Sequence, residues 1–120
     1  MKDKKEYEKA KSFFETTLSI YPEHGSALRN MGVVLGLMGD EDKGYDYLIR
    51  SYKKNKDDFR TLLALTSAEL HLKKYNNAIY SLEKLLKLPL PPDIYEKAKE
   101  LKKNIFNYLV ESEDNSNSLI

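Results

Sequence analysis

The even spacing of three small side chains constrains this chain more than any other feature of its sequence. Gly44 stands midway between Ala10 and Ala78, and apolar residues flank each of the three at helical intervals. Self-similarity at this period, about 34 residues, is typical of stacked helix-turn-helix units, because a single unit cannot bury both of its faces. The spacing therefore predicts an all-α chain built from helix hairpins that pack on their neighbours.

The complete copy of the unit covers residues 25–58. Apolar residues recur at steps of three and four in its first half, at Leu28, Met31, Leu35 and Met38, which places them on one face of a helix. Gly39 and Asp40 interrupt that helix. We expect Asp40 to cap the second helix, because its carboxylate can accept a hydrogen bond from the unpaired amides of the next turn. The apolar stripe of the second helix is Gly44, Tyr45, Leu48, Ile49 and Tyr52.

The flanking segments are variations on this unit. Shifted by one period, the pattern falls on residues 59–92 as a second full repeat, with Lys73 and Lys74 in the turn between its helices. Shifted back, it falls on residues 3–22, which match only the second helix of a unit. The predicted order is therefore a half repeat followed by two full repeats.

This arrangement resembles the tetratricopeptide repeat family. The family has small residues where its helices cross closely, and Gly32, Gly44 and Ser51 stand at those places in the central unit, as Thr66 and Ala78 do in the next. Glu69 stands where a large apolar residue is expected. The resemblance implies an α-solenoid of antiparallel hairpins wound into a right-handed superhelix, whose first helices line a concave groove for extended or helical peptides.

The resemblance also implies which residues line that groove. They are Ser26, Arg29, Asn30, Val33 and Leu37 in the central unit, and Arg60, Leu63, Ala64, Ser67 and His71 in the next. Helical spacing independently places most of each set on one face. Two of the three arginines belong to the predicted groove, and a guanidinium can pair with a carboxylate through two hydrogen bonds. We therefore expect a peptide partner with an acidic group.

The two ends of the chain depart from the repeat. The prolines within residues 88–92 cannot continue a helix, so we expect a boundary there, then a capping helix over 93–110 and a disordered tail over 111–120. Residues 1–111 are predicted to form one domain. In the half repeat, Tyr7, Phe13 and Phe14 form an aromatic edge, and we expect another copy of the chain, upstream sequence or a partner to cover it.

Composition excludes several functions. The net charge of +1 argues against a nucleic-acid partner. The chain has no cysteine, and its two histidines, His24 and His71, lie far apart in the repeat, so neither a metal nor another cofactor is expected. No nucleophile, base and orienting group occur together, so we expect no enzymatic activity. Neither a membrane span nor a secretory leader is visible, which predicts a cytoplasmic location.

The sequence therefore predicts a protein-protein interaction module, acting as a scaffold or adaptor or as part of a larger protein. Two alternatives stay open. One is a small chaperone or adaptor for secreted or assembling subunits. The other is a structural unit that forms homo-oligomers through the aromatic edge of the half repeat.

Overall fold

The computed structural model describes the backbone of residues 3–118 and the side chains of residues 3–113. This part of the chain is all-helical, without strands, and measures 54 × 32 × 26 Å. Residues 1 and 2 of the predicted domain, and 119 and 120 of the predicted tail, lie outside the described residues. The helices are α1 (Lys4–Ile20), α2 (Gly25–Leu37), α3 (Glu41–Lys54), α4 (Phe59–His71), α5 (Tyr75–Leu86) and α6 (Pro92–Ser118). Each helix packs on its neighbours along the chain, and α2 also contacts α4.

The close contact between α2 and α3 depends on two glycines. A Cβ atom on Gly32 would lie 2.8 Å from the Gly44 carbonyl oxygen and 2.7 Å from Leu48 Cγ, and one on Gly44 would lie 2.6 Å from the Gly32 carbonyl oxygen. Near the start of α2, the Ser51 hydroxyl donates to the Gly25 carbonyl oxygen at 2.9 Å. Because residue 25 contacts residue 51 and residue 32 contacts residue 44, the two helices run in opposite directions.

A buried carboxylate joins α4 to α3 and α5. Only 3% of Glu69 is exposed, and its two carboxylate oxygens accept hydrogen bonds at 2.7 Å, one from the Tyr45 hydroxyl and one from the Ser81 hydroxyl. Burial raises the pKa of Tyr45 well above its ordinary value, and the hydrogen bond to Glu69 and the negative charge of Glu69 raise it further. The polar residue at this predicted apolar position is therefore accommodated by two donors rather than by apolar packing.

The turns inside the two hairpins have the same construction, one repeat apart. Gly39 has a φ of +93° and Lys73 a φ of 59°, so both adopt the left-handed conformation that commonly ends a helix. The amides of Asp40 and Lys74 then donate to the carbonyl oxygens of Leu35 and Glu69, at 2.9 and 2.7 Å. Lysine serves here where glycine serves in the central unit.

The predicted cap at Asp40 is wrong in its chemistry. Asp40 stands at the N-cap of α3, but its side chain makes no capping hydrogen bond. Its backbone, at φ −93° and ψ 66°, lies outside the extended conformation usual for an N-cap. Asp58, with extended backbone, does cap α4 through its side chain.

The two terminal helices pack on different neighbours, α1 on α2 and α6 on α5. On α1, the partly buried side chains of Tyr7, Ala10, Phe14 and Leu18 pack against the buried core residues Met31, Val34 and Leu35. On α6, Ala98 and Ile105 are buried in the larger core, which also contains Leu82 and Leu85.

The last helix is longer than the sequence predicts. It begins at Pro92 and ends at Ser118, rather than covering 93–110, so residues 111–118 of the predicted disordered tail are helical. Proline is favoured at the first position of a helix. Residues 93–118 contain neither glycine nor proline. The polar residues from which the sequence predicts disorder therefore do not interrupt the helix.

The contrast between two glycines of α2 gives a matched test of this packing. A Cβ atom added to Gly36 would have no heavy atom within 4 Å beyond its own helix. We expect Gly36→Ala to raise the free energy of unfolding by about 0.5 to 1 kcal/mol, because alanine is the better helix former. Gly32→Ala should lower it by about 1 to 3 kcal/mol through overlap with Leu48 and Gly44. Urea denaturation measures both, and equal effects would contradict the assigned contact.

Candidate functional site

An open cleft of about 280 Å³ lies among α2, α3 and α4, and we name it the central cleft. Small residues from all three helices line it, together with larger side chains at its margins. Its lining residues are Gly32, Val33, Gly36, Leu37, Glu41, Gly44, Tyr45, Leu48, Ala64, Ser67, Ala68 and His71. The close contact of α2 and α3 thus also forms part of the wall of the cleft.

The central cleft exposes apolar surface. Val33 is 41% exposed and Leu37 is 59% exposed, although both belong to a helix whose opposite side is buried in the core. Gly36 lies between them in the chain, and a side chain added there would meet open space. This stretch of α2 therefore presents two branched aliphatic side chains beside a position where another chain can approach the backbone closely.

A second, smaller cleft of about 170 Å³ lies between α1 and α2, and we name it the N-terminal cleft. It is lined by Glu6, Tyr7, Ala10, Phe14, Asn30, Val33, Val34 and Leu37. Val33 and Leu37 line both clefts and form a ridge between them. A partner lying across this ridge would contact both clefts at once.

The structure brings together half of the groove residues that the sequence predicts. Val33, Leu37, Ala64, Ser67 and His71 line the central cleft. Asn30 lines the N-terminal cleft, and Leu63 lines a third cleft, between α4 and α6, to which Ser67 also contributes. The remaining three predicted residues, Ser26, Arg29 and Arg60, line none of these clefts.

Both predicted groove arginines are paired within the chain. The Arg29 guanidinium donates to one carboxylate oxygen of Asp58 at 2.9 Å, and Arg60 Nε donates to the other at 3.3 Å. Partial burial opposes ionisation of Asp58, but hydrogen bonds from the amide and guanidinium of Arg60 and the positive charge of Arg29 outweigh it. The pKa of Asp58 is consequently lowered. Arg29 is mostly buried in this pair, whereas the Arg60 side chain is 64% exposed.

The sequence did not identify Gly36, Glu41 and Tyr45 as lining residues. Gly36 follows Val33 by three residues and precedes Leu37 by one, so its helical face was readable, but only the structure shows that no internal contact needs a glycine there. Glu41 and Tyr45 belong to α3, whereas the resemblance implied a groove made only by the first helix of each unit. Their inclusion follows from how closely α2 and α3 approach.

The predicted aromatic edge divides between two environments. Tyr7 and Phe14 are partly buried against α2 and line the N-terminal cleft. Phe13 is 68% exposed, and its ring meets that of Phe14 edge-on with centroids 5.8 Å apart. Only Phe13 of the three therefore presents most of its ring to solvent.

Among the described side chains, those of residues 3–113, no group of three or more histidine and acidic residues is placed to hold a metal ion. No helix in this part of the chain is long and apolar enough to cross a membrane. Comparison with known proteins finds no family model that matches the sequence and no matching curated protein.

The pairing of Asp58 predicts a pH dependence of stability. The folded-state pKa of Asp58 is lowered, so its ionised carboxylate stabilises the folded chain. This contribution is present above the ordinary aspartate pKa of about 4 and is lost as the pH falls through the folded-state value. We expect Asp58→Asn to lower the free energy of unfolding at pH 7 by about 1 to 2 kcal/mol, since asparagine keeps the cap but loses the charge. The difference in free energy of unfolding between the variant and the wild type should decrease below about pH 4.

Urea denaturation across this pH range measures this difference. The exposed neighbour Asp57 provides the control substitution Asp57→Asn. A difference for Asp58→Asn that stays constant down to low pH would contradict the assigned role of the charge.

Proposed function

We propose that this chain is a non-catalytic protein-binding module with a tetratricopeptide-like solenoid fold, and that its partner lies in the central cleft. The repeated turn geometry at Gly39 and Lys73 supports the repeat. The contacts of each helix with its neighbours, and of α2 with α4, are those expected of stacked hairpins. The proposed fold includes the right-handed superhelix of the tetratricopeptide repeat family.

The proposal rests on the exposed aliphatic ridge of Val33 and Leu37, which lies beside a glycine, Gly36, that faces open space. Val33 and Leu37 keep 41% and 59% of their surface exposed in the folded chain. Full burial of an exposed aliphatic side chain is favourable by about 1.5 to 3 kcal/mol, and covering the remaining surface of these two would gain part of that. A partner side chain that rests on Gly36 would cover both. Binding energy at protein interfaces is concentrated in a few side chains that fill central, desolvated pockets, and the partner side chain over Gly36 would be one of them.

The proposed role is that of a scaffold or adaptor, alone or within a larger protein. A chaperone-like role for secreted or assembling subunits uses the same surface, because an exposed apolar segment of an unassembled subunit would fit the ridge. The two roles differ in the partner rather than in the site.

Filling the cleft tests the proposal without disturbing the core. Peptides displayed on phage would be selected on the wild-type chain, and binders would be measured by fluorescence polarisation. We expect Gly36→Met to weaken their binding at least tenfold, on the order of the loss of one buried apolar contact. The fold should survive, because the methionine side chain enters open space.

Ser26→Met serves as the matched control, since Ser26 is an exposed residue of the same helix that lines neither cleft on the ridge. Retained binding in this variant is expected. Selected peptides that bind the Gly36→Met chain as well as the wild type would contradict the proposal.

A second candidate function, self-association, is supported by the outer face of α1. Phe13 is 68% exposed and Ile20 is 64% exposed, and their separation by two helical turns places them on one side of the helix. Two large apolar residues on one face, away from the side that packs on α2, favour contact with another apolar surface.

Light scattering over a wide concentration range tests this candidate. We expect a mass above that of the monomer for the wild type, and a monomer for Phe13→Glu, because a buried unpaired carboxylate is unfavourable in an apolar interface. Phe106→Glu is the control, since Phe106 is a phenylalanine of similar exposure on α6. A monomeric wild type at every concentration would exclude self-association through this face.

A further inference from the structure

The two clefts beside the ridge share one electrostatic feature. Each contains a single carboxylate among its lining residues, Glu41 in the central cleft and Glu6 in the N-terminal cleft, and neither cleft is lined by lysine or arginine. Within residues 3–113, neither carboxylate has a hydrogen-bond or ion-pair partner for its side chain. Each side of the Val33–Leu37 ridge therefore has a carboxylate that no described side chain neutralises.

His71 adds a further acceptor to the central cleft. Its Nδ1 lies 2.8 Å from the Ser67 carbonyl oxygen, which can only accept a hydrogen bond, so Nδ1 carries the proton. In the neutral imidazole the remaining nitrogen, Nε2, is then an acceptor. The polar groups at this margin are thus arranged to receive donors.

The cations from which the sequence predicted an acidic partner do not line either cleft. Arg29 and Arg60 both pair with Asp58 and lie outside the lining of the two clefts. A lysine does lie near one lining residue, since Lys74 Nζ is 5.9 Å from the centroid of the Tyr45 ring. It reduces the negative potential of the central cleft but does not line it.

We propose that the ridge and its two clefts bind an amphipathic segment that carries a large apolar side chain flanked by lysine or arginine. This inference rests on the proposed function of the central cleft and specifies its partner. The apolar side chain rests over Gly36, and the aliphatic stems of the basic residues cover Val33 and Leu37 while their charged ends reach Glu41 and Glu6. The charge complementarity is opposite to the one that the sequence predicts.

Two synthetic helical peptides test this proposal. They are identical at their apolar positions, and one has lysine where the other has glutamate. Affinity is measured by fluorescence polarisation at low and high salt. We expect the lysine peptide to bind about tenfold more tightly than the glutamate peptide at low salt, with the difference decreasing at high salt.

Variants assign the effect to the cleft. Glu41→Gln should lower the affinity for the lysine peptide by about fivefold and should not lower the affinity for the glutamate peptide. Asp42→Asn is the matched control, because Asp42 is an exposed acidic neighbour in the same helical turn that lines neither cleft. This control should not change the affinity of either peptide.

The outcomes separate this inference from the function on which it rests. Equal affinities, tighter binding of the glutamate peptide, or no effect of Glu41→Gln would overturn the inference. If Gly36→Met still abolished binding in that case, the proposed function would stand. If neither peptide bound the wild-type chain, the inference would be overturned, and the phage-selected peptides would test the proposed function separately.

Discussion

The close approach of α2 and α3 at Gly32 and Gly44 is the constraint on which the rest of the structure depends. The backbones meet so tightly that a Cβ atom on either glycine would overlap an atom of the other helix. This contact fixes the register of the first hairpin, and it brings Tyr45 of α3 within reach of Glu69 on α4. It also draws α3 into the wall of the central cleft. Core packing, hairpin stacking and the candidate site therefore share one geometric cause.

The hydrogen bonds of Tyr45 and Ser81 to Glu69 fix the position of the second hairpin relative to the first. A buried carboxylate is tolerated only where hydrogen bonds satisfy it, and Glu69 receives one from each neighbouring helix. The same position filled by an apolar side chain would pack but would not specify how far α3 and α5 slide along α4. The two short hydrogen bonds restrict that sliding, because a small displacement would leave the carboxylate or its donors unsatisfied.

The sequence predicted those features that depend on local periodicity. The helices, the turns at Gly39 and Lys73, and the small residues at the crossing all follow from spacing. Three features did not. The pairing of Asp58 with Arg29 joins residues 29 positions apart, the donors to Glu69 come from two other helices, and Glu41 enters the cleft only because α3 lies close to α2. Each depends on the relative placement of helices, which a one-dimensional pattern does not contain.

Gly36 shows how stability and recognition separate within one helix. Gly32 and Gly36 are chemically identical and one turn apart, yet internal contacts require only the first. Glycine inside a helix is less stable than alanine by about 0.5 to 1 kcal/mol, so the fold gains nothing from Gly36. Its neighbours Val33 and Leu37 are exposed on the same side. The proposed binding of a partner across the ridge would account for a glycine that destabilises the helix, faces open space and lies beside exposed aliphatic groups. The carboxylates on either side of the ridge would then favour a partner that carries positive charge.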